Sequence, residues 1–160
     1  MDAPITVRPA RPSDLGGIVA IYNFYVERTA ATFEVCSVTP DEKRPWYEAH
    51  SGGGPHRIWV AVDDQDGVRA WASTSPFRPR AAYGTTVEAS VYCRADSRGS
   101  GLGARLYAEL FRSIEDQDLE RIVAGVAQPN PASMALHRRM GFREVGTFTR
   151  VVGSSDATGT

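Results

Sequence analysis

The chain is poor in everything a metal centre, a disulfide scaffold or a membrane span requires. Its two cysteines, Cys36 and Cys93, lack metal-ligand spacing, and its three histidines, His50, His56 and His137, are too scattered for a metal site. A Cys36–Cys93 bridge is left open by the sequence, but packed thiols are the expectation in a reducing compartment. No apolar run approaches the roughly 18 to 20 residues of a membrane helix, and Met1-Asp2-Ala3-Pro4 has neither the basic nor the apolar part of a secretion signal. The expected location is therefore cytoplasmic, with no membrane partner. Net charge is −1, so there is no basic excess to recommend nucleic acid and no acidic excess to suggest a solvated tail. What is present is 160 residues with 42% hydrophobic and 23% charged content, enough to bury a core without metals or disulfides. A small-molecule partner fits that frame.

The most informative segment is Arg98-Gly99-Ser100-Gly101-Leu102-Gly103, between a β-like run (Val87 to Tyr92) and an amphipathic helical run (Leu102, Leu106, Leu110, Ile114). Glycines let the backbone approach a ligand. The first turn of a helix leaves N–H groups unpaired, with the positive end of the helix dipole behind them. Three anion loops share this grammar. A nucleoside-triphosphate loop needs Lys and then Ser or Thr after its last glycine, and here Ala104 and Arg105 follow. A dinucleotide fingerprint needs a carboxylate about 20 residues on, and the next strand-like run ends Gly125-Val126-Ala127-Gln128 without one. The third pattern, Arg/Gln-x-x-Gly-x-Gly/Ala, is matched by Arg98, Gly101 and Gly103. A glycine-rich turn that merely starts a helix has the same composition, so the rest of the chain must decide.

Ile5 to Arg8 reads as a strand, and Pro12-Ser13-Asp14 as a helix start before a face of Leu15, Ile18, Val19, Tyr22 and Val26. Gly16 and Gly17 weaken that helix by about 1 kcal/mol each relative to Ala. Thr39-Pro40-Asp41-Glu42 has capping-box spacing, and Pro45 is expected to limit the helix that follows. Ser51 to Pro55 is a connection. Ile58 to Val62 and Val68 to Thr74 form a hairpin around Asp63 to Gly67, and Thr86 to Cys93 is a further strand. After the Arg98 loop and its helix, Arg121 to Val126 is the next strand. Asn130 caps a helix with Pro131 at its first position, and Gly141 ends it. Phe142 to Val152 is expected as a last strand or bent strand pair. Residues 1–152 are read as one domain and 153–160 as a polar tail. The alternation implies an α/β (α+β) class: a mixed, mostly antiparallel sheet with helices on both faces.

Two separated signatures now stand in order. The Arg98 loop resembles the pyrophosphate loop of the GNAT superfamily of N-acetyltransferases. Asn130 to Phe142, where Asn opens a helix and Gly-Phe closes it, resembles that superfamily's second signature. More narrowly, Tyr22-Asn23, Tyr25-Val26, Thr32-Phe33-Glu34, Pro76 to Tyr83 and Val87 to Tyr92 are similar to the phosphinothricin and methionine sulfoximine N-acetyltransferase group. The resemblance runs from about Ile5 to about Val151.

It implies transfer of an acetyl group from acetyl-CoA to the primary amine of a small amino acid or analogue, by direct attack in a ternary complex. Such chemistry needs a base for the ammonium, stabilisation of the developing oxyanion and an exit for the thiolate. Glu88 is the candidate base, sharing a strand face with Ser90 and Tyr92, and a carboxylate partly withdrawn from water is a stronger base. A surface Glu on a half-exposed strand is the plain alternative. Val91, Tyr92 and Cys93 would offer main-chain groups to the pantetheine arm. Arg98, Gly99, Ser100, Gly101, Leu102, Gly103 and Ala104 would surround the pyrophosphate. The resemblance adds Asn130 and Ser133 as cofactor contacts, although capping alone explains an Asn before a Pro. His137 stands where many superfamily members carry a Tyr that protonates the thiolate, and acts as that acid or orients the cofactor. Cys93 has no adjacent base to activate it as a nucleophile. For the acceptor, Arg78 and above all Arg80 would grip a carboxylate, with Phe77, Tyr83 and Phe33 as pocket walls. Glu27 is better explained by ordinary packing.

The chain departs from the family pattern after Val152, where relatives continue through a Gly-Arg-Trp-like segment into another apolar strand. The expectation is a sheet lacking that strand, with an exposed edge that a second copy covers, hence a homodimer. Two rival functions remain: a catalytically silent acyl-CoA-binding regulatory module and, more weakly, a nucleotide-binding protein.

Overall fold

A computed structural model describes residues 3–28, 36–50 and 52–148. Among these residues five strands, β1 (Thr6–Pro9), β2 (Ile58–Val62), β3 (Val68–Pro76), β4 (Thr86–Cys93) and β5 (Arg121–Val123), form one sheet in sequence order. The first four are antiparallel and β5 is parallel to β4. The α-helices of the described residues, α1 (Leu15–Arg28), α2 (Pro40–Ala49), α3 (Leu102–Ser113) and α4 (Pro131–Arg139), complete the α/β architecture expected from the sequence.

Strand alternation divides the core in two. Ala61, Ala70, Ala72 and Ala89 give one face a smooth floor, on which α3 lays Leu102, Leu106, Tyr107 and Leu110, with Leu136, Met140 and Phe142 packed around them. Complete burial of Leu106 and Leu110 is worth about 1.5 to 3 kcal/mol each. The other face carries the larger Ile58, Val60, Val62 and Trp71, covered by Ile18 and Ile21 of α1 and fringed by Trp46 and Tyr47 of α2. Gly17 has a role here beyond weakening α1: a Cβ on it would stand 2.8 Å from Val68 Cγ2, so the glycine permits the close approach of helix to sheet. Asp14, 3% exposed, receives both guanidinium nitrogens of Arg8 at 2.7 and 3.1 Å and fastens β1 to the start of α1.

The capping box of α2 forms in both directions, Glu42 N–H to Thr39 Oγ1 at 3.2 Å and Thr39 N–H to Glu42 Oε2 at 3.0 Å. Pro45 does not end this helix, which continues to Ala49. The carbonyl that the missing proline N–H would have engaged belongs to exposed Asp41, where water can serve it. Two strand expectations are corrected. Residues 124–126 do not extend β5, which stops at Val123. Residues 142–148 form no strand, and 149–152 lie outside the described residues. Phe142 is anchored by the rings of Tyr107, Phe111 and His137, whereas Val145 and Phe148 are 98% and 85% exposed and find no packing surface.

Candidate active site

The early end of β5 shapes the site. Thr86, Val87 and Glu88 pair with Arg121, Ile122 and Val123, and beyond Glu88 the two parallel strands part. Arg94 N–H is donated to Arg69 O on β3 at 2.8 Å, and the β3–β4 register is unbroken. By alternation, the main chain of Ala89, Val91 and Cys93 therefore faces the open side. A cavity of about 760 Å³ fills the fork, bounded by Ala89 to Cys93, the 97–104 loop, the 125–130 segment and α4.

All the positions expected to hold a cofactor line this one cavity: Val91, Tyr92, Cys93, Arg98, Gly99, Ser100, Gly101, Leu102, Gly103, Ala104, Asn130 and Ser133. Gly99 and Gly101 have φ of +76° and +79°, left-handed conformations that favour glycine, and no side chain caps α3. Its first-turn N–H groups thus lie at the cavity wall, the arrangement that attracts a phosphate. Gly103 is tight for another reason: a Cβ would come within 2.9 Å of Leu136 Cδ2, so this glycine seats α3 against α4. The Ser100 hydroxyl donates to Ser97 O and closes the loop on itself. Arg98 leans back on α1, with Nε 3.3 Å from Tyr25 Oη and its guanidinium 5.2 Å from the Tyr25 ring centre. Tyr25 in turn donates to Cys93 O at 2.5 Å, so α1, the loop and the end of β4 are held together. Asn130 Oδ1 accepts the Ser133 N–H at 3.2 Å, the helix cap the sequence implies.

Burial pushes the Cys93 thiol above its ordinary value, offset in part by the Arg98 charge and the Gly103 N–H. A thiol held protonated is a poor nucleophile, which disfavours an acyl-cysteine route. His137 also lines the cavity, but both its ring nitrogens are occupied. Nδ1 lies 2.7 Å from Ser133 O, an acceptor only, so Nδ1 carries the proton. In the neutral ring, Nε2 then accepts from Tyr107 Oη at 3.0 Å. Tyr107 is fully buried, and desolvation drives its phenol far above the usual range. The expected direct proton donor is thus tied to a neighbour that resists ionisation, an arrangement suited to orientation.

On the opposite sheet face lies a second cavity of about 360 Å³, lined by Ile18, Val19 and Tyr22 of α1, Lys43 and Trp46 of α2, Trp71, Ser73 and Ser75 of β3, and Glu88, Ser90 and Tyr92 of β4. Glu88 stands at the vertex of the fork: it is half-buried, lines this second cavity, and its Oε1 is 3.9 Å from where a Gly125 Cβ would be. Ser90 and Tyr92 line both cavities, so the two spaces adjoin across β4 beside the carboxylate.

The remaining expected positions fall elsewhere. Phe77, Arg78, Arg80 and Tyr83 line neither cavity. They occupy the loop leaving β3, where Phe77 and Tyr83 meet edge to face at 5.9 Å and Arg78 stacks 4.1 Å over its own neighbour Phe77. Phe33 lies outside the described residues. Glu27 is exposed and accepts from Ser37 Oγ at 2.8 Å, in keeping with ordinary packing. Sequence reasoning did not find Lys43, Trp46, Trp71 or Tyr107. Their one visible signal is a lone large aromatic, Trp71, in a strand otherwise built from small residues. Among the described residues no cluster of three or more His, Cys, Asp or Glu side chains could hold a metal, and no helix is long and apolar enough to cross a membrane.

The family model described as Acetyltransferase (GNAT) family matches residues 18–142. The chain belongs to that family. This acetyltransferase is 44% identical over 150 residues, 93% of its own length and 88% of the relative's, to a phosphinothricin N-acetyltransferase of Streptomyces coelicolor. It is 38% identical over 146 residues, 91% and 84% of the two chains, to an L-methionine sulfoximine/L-methionine sulfone acetyltransferase of Pseudomonas paraeruginosa. A crystal structure of a GNAT superfamily phosphinothricin acetyltransferase from Sinorhizobium meliloti in complex with AcCoA superposes with a TM-score of 0.83 at 32% identity, over 89% of this chain and 76% of that one.

Proposed function

We propose that this enzyme transfers the acetyl group of acetyl-CoA to the α-amine of a small amino-acid analogue of the phosphinothricin, methionine sulfoximine or methionine sulfone type. The observation that carries the reading is the pair of cavities adjoining at Glu88: one has an uncapped helix start and an open strand edge suited to a phosphate and an amide-bearing arm, the other is sized for a small amine. The loop amides of 98–104 bind the diphosphate of the cosubstrate, with Arg98 adding charge, while Asn130 and Ser133 flank its arm. Main-chain groups of Val91 and Cys93 on the open edge of β4 receive the arm as a strand would, and one N–H there stabilises the developing oxyanion. Glu88 takes a proton from the incoming ammonium, the free amine attacks the thioester carbon from the α1/α2 side, and as the new C–N bond forms the C–S bond breaks, the departing coenzyme A sulfur taking up the second proton that the amine sheds. His137 and Tyr107 position the reacting end of the cosubstrate. Arg78 and Arg80 extend from the loop after Ser75, the register partner of Glu88, and serve the acceptor carboxylate. Residues 1–152 act as one domain, in the cytoplasm, as a homodimer that covers the outer edge of the sheet.

The test is amine-dependent thiol release from acetyl-CoA across a panel beginning with methionine sulfone and phosphinothricin. Turnover with intersecting double-reciprocal lines supports a ternary complex, and parallel lines would contradict it. Acetyl-CoA binding without release on any amine would favour the silent module instead.

A further inference from the structure

One hydroxyl of the α1/α2 cavity has its direction fixed from behind. Ser75 is half-buried and lines that cavity beside Glu88, and the two residues are register partners across β3 and β4. Counting in twos from the bond between Arg94 N–H and Arg69 O, theirs is a hydrogen-bonded pair, with Cα atoms about 5.5 Å apart and both side chains on one face of the sheet. On the other side of Ser75 stands His50, the buried residue that ends α2. Its Nδ1 lies 2.6 Å from Trp46 O and its Nε2 lies 2.9 Å from Ser75 Oγ.

These two contacts decide where the protons sit. A carbonyl only accepts, so Nδ1 carries the ring proton; Nε2 of the neutral ring is then a lone pair, and the Ser75 hydroxyl donates to it. Burial favours the neutral ring and holds His50 below the ordinary 6.5, helped by the charges of His56 and Lys43 and opposed by the main chain of Trp46 and Thr74. A hydroxyl has one proton. With that proton committed to His50, Ser75 has only lone pairs left for the cavity. Its rung partner Glu88 is a carboxylate with no hydrogen bond or ion pair of its own among the described residues. The rung therefore offers two side-chain acceptors and no side-chain donor. It suits a cation rich in N–H groups and repels a carboxylate or a carbonyl. A nitrogen about 2.8 Å from each oxygen fits between side chains whose Cβ atoms are about 5.5 Å apart.

Resting on the amine-transfer reading proposed above, we infer that Ser75 Oγ is a second acceptor for the substrate ammonium beside Glu88, and that His50 is the positioning residue that turns the Ser75 lone pairs toward the cavity. A primary ammonium has three N–H groups and gives one to each of the two oxygens. Without His50 the Ser75 hydroxyl is free to turn its proton to the Glu88 carboxylate, which would both occupy the base and remove the second acceptor.

The experiment measures KM and kcat, on the amine of the panel that the unaltered enzyme acetylates best, for Ser75→Ala, Ser75→Thr, His50→Phe and the Ser75→Ala/His50→Phe pair. Ser75→Ala should raise the amine KM about 10-fold with the acetyl-CoA KM within about 2-fold, and Ser75→Thr, which keeps the hydroxyl, should stay within about 3-fold of the unaltered enzyme. His50→Phe should raise the amine KM about 5-fold, and that loss should vanish when Ser75 is already Ala, because His50 acts through the hydroxyl. An amine KM unchanged in Ser75→Ala, or an equal His50→Phe loss in both backgrounds, would overturn the inference while leaving the proposed activity standing. Failure of the unaltered enzyme to acetylate any amine would remove both. A readout that needs no turnover is the ¹⁵N spectrum of the imidazole at pH 8, with the His50 signals assigned by their loss in His50→Phe: the proton should reside on Nδ1. A proton on Nε2 would overturn the inference, since Ser75 would then accept from His50 and be free to donate.

Discussion

The two sides of β4 use different materials. Toward α3 and α4 the cavity is built largely from main chain: left-handed glycines at 99 and 101, an uncapped helix start and a strand edge from which β5 has parted beyond Glu88. Toward α1 and α2 it is built from side chains: an indole, an ammonium, serine hydroxyls and a carboxylate. The first design suits a diphosphate common to many reactions and the second suits a particular acceptor. A common handle can be held by amides that any sequence possesses, whereas discrimination needs particular side chains.

The sharpest way to break the comparison is Glu88→Gln, which should lower kcat about 10²- to 10⁴-fold by removing the proton acceptor while the Kd for coenzyme A stays within about 2-fold. A rate that followed pH as the parent's does would exclude Glu88 as the base. Next comes Gly101→Ala, which forces a Cβ into a left-handed residue at about 1 to 2 kcal/mol. Coenzyme A affinity should fall about 10-fold by calorimetry with the methionine sulfone KM little changed. If both sites weakened equally, the two cavities would not be separable.

Outside both cavities, Arg8→Met should leave the buried Asp14 carboxylate without its cation and with only the Arg11 N–H at 2.7 Å, lowering unfolding free energy by about 3 kcal/mol in urea melts with KM values unaltered. The smallest effect is proton-linked. His50 is buried, with Nδ1 2.6 Å from Trp46 O and Nε2 2.9 Å from Ser75 Oγ, and burial lowers its pKa from the ordinary 6.5. His56 is lowered for the same reason. Below pH 6.5 the unfolded chain takes up protons that the fold refuses, so stability is greatest above that pH and falls as pH drops toward the folded values. His50→Gln should flatten this slope in melts between pH 7.5 and 5.5, and an unchanged slope would place its origin elsewhere.

The same contrast explains what was legible in the sequence. Glycine spacing, Asn130-Pro131 and the Thr39–Glu42 box report local backbone requirements, so the loop, the starts of α2, α3 and α4 and the residues that line the α3/α4 cavity could be read in advance. The α1/α2 cavity depends on Lys43, Trp71 and Glu88, brought together by strand register and helix packing, which no local spacing encodes. The guanidiniums of Arg78 and Arg80 were legible by type as carboxylate partners, whereas the place of their loop, which lines neither cavity, was not. His137 was legible as a polar residue on α4, while its pairing with Tyr107, 30 positions away, was not. The short β5 follows from pairing lost after Val123, although residues 121–126 have strand composition throughout.

The most direct test is a crystal structure of the enzyme with coenzyme A and methionine sulfone bound together. The account predicts the diphosphate on the amides of 98–104 and the amine within hydrogen-bonding reach of Glu88. A diphosphate elsewhere, or an amine on the far side of the sheet from Glu88, would contradict it.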